Sequence, residues 1–195
     1  MPRLTDASRQ RRRDDIAAAA MRCFAREGFG GTSMAHIISE AGSSAGSVYS
    51  NFANKAELVR FAASRALDDL VEAVGEELPA ERTPASVLAH LLRPSRDEAR
   101  AQPLLQIWAE VPRDPELEDI ARTSLLALRA LVRTAVLPWC EAPARAEVTP
   151  PDAAADAIAD AAVTAVQGYL VRITIDRDVD VRLLACRIVA PFERL

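Results

Sequence analysis

Proline and glycine are spread so unevenly along this chain that they divide it before any other pattern is considered. Pro2 is the only proline before Pro79, and the other eleven of the twelve lie at Pro79 or beyond. Five of the seven glycines (Gly28, Gly30, Gly31, Gly42 and Gly46) fall within nineteen residues. Glycine supplies the positive φ that tight turns need, while proline ends a helix or opens its first turn. A tightly turned head of short helices is therefore expected ahead of a body of longer helices with proline breaks.

Composition says what the pieces are made of. Half of the 195 residues are apolar but only 5% are aromatic. Alanine, leucine, arginine and glutamate favour helix, and strand formers are scarce. An all-α chain follows, long enough to bury a sizeable core. No uninterrupted apolar run approaches the roughly 18–20 residues of a membrane span, and the basic start "MPRLTDASRQRRRDD" lacks the apolar stretch of a signal peptide. Cys23, Cys140 and Cys186 stand far apart without metal-type spacing. Burial is expected for all three, in a reducing cytoplasm. The net charge of −4 is asymmetric, with nine bases and six acids in residues 1–60 giving +3 and the remainder giving −7. A basic head on an acidic body points to a polyanion met by the head alone.

Helical rhythm fills in the plan. Ile16, Ala20, Cys23 and Phe24 make a core stripe on a first helix over about 9–27, which Gly28 can cap while Phe29 folds back on its last turn. Thr32 or Ser33 can cap a second helix whose apolar face is Met34, Ile37, Ile38 and Ala41. Gly42 opens a tight turn, Ser43 or Ser44 caps again, and a third helix carries Ala45–Ser50. Asn54 caps a fourth, Lys55–Gly75. Five more are expected over about 84–93, 95–110, 114–137, 151–176 and 179–192, with Pro84 and Pro115 in first turns. "PWCEAPARAEVTPP", Pro138–Pro151, has four prolines in fourteen residues and reads as a flexible loop.

Two short helices joined by a glycine turn and set on a third make a helix-turn-helix. The stretch "GFGGTSMAHIISEAGSSAGSVYSNFANKAEL" resembles the DNA-binding signature of TetR-family transcriptional regulators. Gly-Phe, the Thr-Ser cap, Ile-x-x-x-Ala-Gly, Ser-x-Gly-x-x-Tyr and Phe-x-x-Lys-x-x-Leu all stand at that family's spacing. The resemblance covers about fifty residues, Arg11–Arg60. It implies an N-terminal three-helix DNA-binding domain over 1–55 and a helical-bundle effector-binding and dimerisation domain over 56–195, about nine helices in all.

The DNA contacts implied fall on matching positions. Thr32 and Ser33 stand at a helix N-terminus, where N–H groups and hydroxyls bind phosphate. Tyr49 and Lys55 flank the reading helix as phosphate anchors, with half-buried packing and an ordinary solvated lysine as their plainer alternatives. Ser44, Ala45, Gly46 and Ser47 present the slim reading face. Alanine touches a thymine methyl but cannot grip guanine as arginine does, so help is expected from Arg11, Arg12 and Arg13 or the arm before them. Those arginines either enter a minor groove or form a solvated charge run. His36 is read as exposed and without a structural role.

In the body, Ala154, Ile158, Ala161, Ala165, Gly168, Tyr169, Arg172 and Ile173 recur near helical spacing, joined by Leu184 and Ile188 of the last helix. This set forms either a seam between two subunits or a core within one. The resemblance implies a homodimer and a small-molecule pocket. Its candidate lining is Leu67, Leu91, Leu104, Leu105, Trp108, Leu128 and Gln167, and few aromatics and no charged cluster suit an apolar effector.

His36 and His90, the only histidines, lie in different segments, and no phosphate loop, metal set or cofactor fingerprint occurs. No catalytic residue, metal or cofactor is expected. The expected function is that of a cytoplasmic regulator on a double-stranded DNA operator, and the resemblance implies a homodimeric repressor released by a small effector. The alternative is a ligand-independent adaptor or architectural protein on DNA.

Overall fold

A computed structural model describes residues 6–76, 78–93, 98–176 and 178–194. The described residues contain ten α-helices, two short 3-10 turns and no strand. The helices are α1 (Asp6–Gly31), α2 (Met34–Glu40), α3 (Ala45–Tyr49), α4 (Lys55–Gly75), α5 (Pro84–Leu91), α6 (Glu98–Glu110), α7 (Pro115–Cys140), α8 (Pro143–Ala146), α9 (Pro151–Ile175) and α10 (Val181–Val189). All nine expected helices are present, and α8 is the addition. The chain forms two compact units, residues up to Leu67 with Gln106–Ala121, and Asp68–Leu105 with the residues from Arg122 on.

In the first unit, α1 kinks at Gly28, whose φ of 72° and ψ of 166° lie outside the helical region. The stripe Ile16, Ala20, Cys23 and Phe24 is fully buried, and the Phe29 ring turns back to 4.3 Å from that of Phe24. Ile37, Val48, Phe52 and Leu58 complete this core at zero exposure. Each large side chain so buried contributes about 1.5–3 kcal/mol. Charges brace the outside of α1 and α2, where Glu40 receives Arg22 at 2.8 Å and Arg26 at 2.9 Å. Hydrogen bonds from these guanidiniums hold the Glu40 carboxyl below its usual range. His36 is exposed as expected, but its Nδ1 lies 2.6 Å from Glu27 Oε2, so it joins this network rather than standing alone. Arg60 of α4 meets Asp114 at 2.8 Å, and the same carboxylate caps α7 by accepting from the N–H groups of Glu116 and Leu117.

In the second unit, α9 buries Ala155, Ile158, Ala159, Ala162, Val166, Tyr169, Leu170 and Ile173. Ile158 and Tyr169, expected at a subunit seam, thus face the chain's own core. Tyr169 is fully buried, with its hydroxyl 3.5 Å from the Val181 carbonyl. Arg129 and Arg133 of α7 pair with Asp152, Asp156 and Asp160 of α9 as a ladder. By length and mean hydropathy of 1.2, α9 would also suffice to cross a membrane. A buried core helix passes the same test, and the ladder and the enclosed Tyr169 place α9 in that class.

Two expectations about Pro138–Pro151 and the cysteines need correcting. The helix α7 continues through Pro138 to Cys140, and α8 makes one turn inside the expected loop. A late proline removes one backbone hydrogen bond, while the extra turn buries Cys140 to 1% exposure. Cys186 is exposed, whereas Cys23 and Cys140 are buried. Burial raises both buried thiols above their usual pKa.

Candidate nucleic-acid interface

Local chemistry fixes the three short elements of the head. Ser33, exposed and extended at φ −102° and ψ 163°, caps α2 by accepting from the His36 N–H at 3.2 Å. The C-terminal end of α2 closes in a Schellman motif, with Ser43 N–H donating to Ile38 O at 3.2 Å and Gly42 N–H to Ser39 O at 3.1 Å. Gly42 sits at φ 55°, the left-handed conformation that this closure requires. Ser44 then caps α3, accepting from Ser47 N–H at 3.2 Å, and buried Val48 pins α3 to the core. What remains outside on and before α3 is Ser44, Ala45, Gly46 and Tyr49, the tyrosine 52% exposed.

The expected contacts separate into those that face solvent and those already engaged. Thr32 is 2% exposed, its hydroxyl and its N–H both donating to the Gly28 carbonyl at 2.8 and 3.1 Å. It locks the kink of α1 and has no free donor for phosphate, which corrects its assignment. The ammonium of Lys55 donates to the Phe29 carbonyl, tying α4 to the end of α1. An ammonium carries three donors, so this bond leaves others for an anion. Ser47 is half-buried and accepts from Arg12 Nε and Nη2 at 3.3 and 3.4 Å.

The three arginines of α1 do not share one environment. Arg11 is exposed and donates to Ala7 O of its own helix, at 3.4 Å. Arg13 is turned into the protein, its guanidinium 4.4 Å from the Phe52 ring and 4.5 Å from the Phe61 ring. Of the arm before them, residues 1–8, the first five lie outside the described residues and Asp6–Ser8 form the start of α1. Arg9, Arg11, Arg12, Asp15, Ser47, Ser50 and Asn51 line a cleft of about 590 Å³ beside α3, three cations to one carboxylate. Arg9, Ser50 and Asn51 were not anticipated. Asn51 could have been, as a polar residue just past a helix end, where its amide now donates to Ser47 O at 2.8 Å.

The expected pocket residues are not gathered into one described cavity. Leu67 and Trp108 belong to the first unit, and Leu91, Leu104, Leu105, Leu128 and Gln167 to the second. Leu67, Leu91, Leu104 and Leu128 are buried, while Leu105, Trp108 and Gln167 are half-buried. A separate groove of about 460 Å³ in the second unit, lined by Thr83, Pro84, Trp139, Arg145 and Phe192 among others, uses none of them. Of the expected seam, Ala161, Gly168 and Arg172 are exposed, and Ala165, Leu184 and Ile188 are half-buried.

A capped short helix, a left-handed glycine turn and a second short helix with small outward residues, framed by cations, make up a helix-turn-helix of the DNA-binding kind. Residues 16–61 match the family model of bacterial regulatory proteins, tetR family. Solved structures share the fold along nearly the whole chain. A transcriptional regulator from Rhodococcus sp. Rha1 superposes with a TM-score of 0.76 at 22% identity, over 93% of this chain and 94% of that one. A TetR-family regulator from Cytophaga hutchinsonii gives 0.76 at 19% identity over 99% and 96%. Salmonella enterica GusR gives 0.72 at 20% over 100% and 98%. Among curated proteins none matches by sequence. Residues 16–61 thus carry a DNA-binding head similar to that of the tetR family of bacterial regulatory proteins, and the chain as a whole shares the fold of these solved regulators.

Proposed function

We propose that the protein is a cytoplasmic homodimeric repressor whose two heads occupy successive major-groove half-sites of a near-palindromic operator, and that a small apolar effector releases it. The exposed face of Ser44, Ala45, Gly46 and Tyr49, framed by Ser33 at the α2 N-terminus and by the arginine-lined cleft, is the observation that carries this reading. Small residues let α3 enter a groove closely, and the flanking groups meet phosphate. Residues 1–55 supply the DNA-binding function and residues 56–195 the effector and dimer functions.

Pairing is supported by the outer face of α9. Ala157, Ala161, Thr164, Gly168, Val171 and Ile175 follow one another at intervals of four and three residues. All lie at the surface, with Val171 39% and Ile175 76% exposed. Such a stripe suits close packing against the same helix of a second copy, and Leu183 of α10 is likewise exposed, at 47%. The effector is proposed to bind within the second unit, among Leu91, Leu104, Leu105, Leu128 and Gln167. Its entry displaces α4, the unbroken helix from Lys55 to Gly75. A coupling of about 1–3 kcal/mol would change DNA affinity several-fold to about a hundred-fold.

The test is selection of bound duplexes from a random pool, followed by sedimentation of the free protein and competition with apolar small molecules. A near-palindromic consensus, a dimer and ligand-induced release are expected. A monomer that ignores every duplex at low salt would overturn the reading, and a dimer that binds DNA but never responds to a ligand would leave an adaptor.

A further inference from the structure

Arg12 and Arg13 are neighbours in sequence with opposite surroundings. Arg12 lies in the cleft with Ser47, Ser50 and Asn51, its guanidinium held against the α3 serine by two hydrogen bonds and paired with no carboxylate among the described residues. Arg13 is enclosed. Its guanidinium is packed against both the Phe52 and Phe61 rings, Nη1 donates to the Asn51 carbonyl at 2.8 Å, and Nη2 lies 3.7 Å from Glu57 Oε1. The two rings are themselves in contact at 5.4 Å. Phe52 and Asn51 belong to the segment leaving α3, and Glu57 and Phe61 to α4, so this one side chain ties α1 to both.

We infer that the two arginines divide the work of the interface. Arg12 delivers to a DNA phosphate the cation that Ala45 and Gly46 cannot supply, and Arg13 is a positioning residue that fixes the reading helix without touching DNA. The inference rests on the DNA-binding reading above. Its physical basis is geometric: a planar guanidinium stacks on rings and bonds in its own plane at once, whereas an ammonium is a compact point charge. At position 12 only charge matters, so lysine serves. At position 13 the flat shape matters, so lysine fails although the charge is kept.

The experiment titrates the full chain with its selected duplex across a range of salt, and follows thermal unfolding of the same variants. Arg12→Ala should lower the slope of log affinity against log salt by about 0.9 for each phosphate it no longer neutralises. It should lower the melting temperature only slightly, through the lost bonds to Ser47, and Arg12→Lys should bind with the wild-type salt slope. Arg13→Lys should weaken binding about tenfold at every salt concentration with the slope unchanged, and should lower the melting temperature. Arg13→Ala should do the same more strongly, and if it does not fold, the lysine variant carries the test. Wild-type behaviour of Arg13→Lys, or a slope reduced by Arg13→Lys as by Arg12→Ala, would overturn the division. If the wild type itself binds no duplex, the regulator reading fails. The melting temperatures then still decide the strut, since equal values for Arg12→Lys and Arg13→Lys reject it.

Discussion

The turn between α2 and α3 offers a substitution whose cost can be worked from one dihedral angle. Gly42 holds φ at 55°, and a Cβ built there would meet nothing within 4 Å. Steric clash with neighbours is therefore absent, and the whole cost of Gly42→Ala is the left-handed backbone, about 1–2 kcal/mol. Alanine also restricts the unfolded chain, which returns about 0.4–1 kcal/mol. The net loss is about 0–1.6 kcal/mol. At roughly 2–4 °C per kcal/mol for a chain of this size, that is a fall of up to about 6 °C in melting temperature. Asparagine tolerates the left-handed region, so Gly42→Asn should lose little or nothing. Gly46, inside α3 with no positive φ and equally open space, is the control, and alanine there should stabilise by about 0.5–1 kcal/mol. Differential scanning calorimetry of the three variants tests the argument. A Gly42→Ala protein as stable as Gly46→Ala, or an asparagine variant that loses as much as alanine, would refute it.

Two further outcomes are expected. Ser33→Ala removes the acceptor of the His36 N–H and should cost about 1 kcal/mol in urea unfolding. Ser33→Asp retains a cap and stability, yet sets a carboxylate where a phosphate is proposed, so it should bind the operator much more weakly; unchanged binding would remove Ser33 from the interface. Acid stability follows from three carboxylates held below their usual range by arginine hydrogen bonds: Glu40 by Arg22 and Arg26, Asp114 by Arg60, and Asp160 by Arg129. Because the unfolded chain binds their protons at higher pH than the folded one, their contribution is full above the ordinary values of 4.5 and 3.8. It is lost as pH falls through the lower folded values. Urea midpoints should thus drop below about pH 4.5, less steeply in high salt, and a midpoint that rises on acidification would contradict the assignment.

The head was legible because its structure is local. The stripe Ile16, Ala20, Cys23 and Phe24, the caps at Ser33 and Ser44 and the glycine at position 42 each act within a few residues, so spacing alone reveals them. The expected roles of Thr32 and Arg13 were less secure for the opposite reason. Their side chains had to choose between solvent and groups brought close by folding, Gly28 O in one case and the Phe52 and Phe61 rings in the other.

The body repeats the contrast on a larger scale. Alanine-rich α9 has small apolar residues all round, so periodicity cannot say which side turns inward. Burial of Tyr169 and Ile158 settled it, moving the candidate seam to the Ala157–Ile175 stripe. Sequence by itself determined the helical class, the division into turned head and long-helix body, and the reading motif, because helix propensity, caps and positive-φ glycines are properties of neighbouring residues. Only the tertiary structure decided which polar and apolar side chains are already satisfied inside the chain and which remain free to meet a partner, because that depends on contacts between residues distant in sequence.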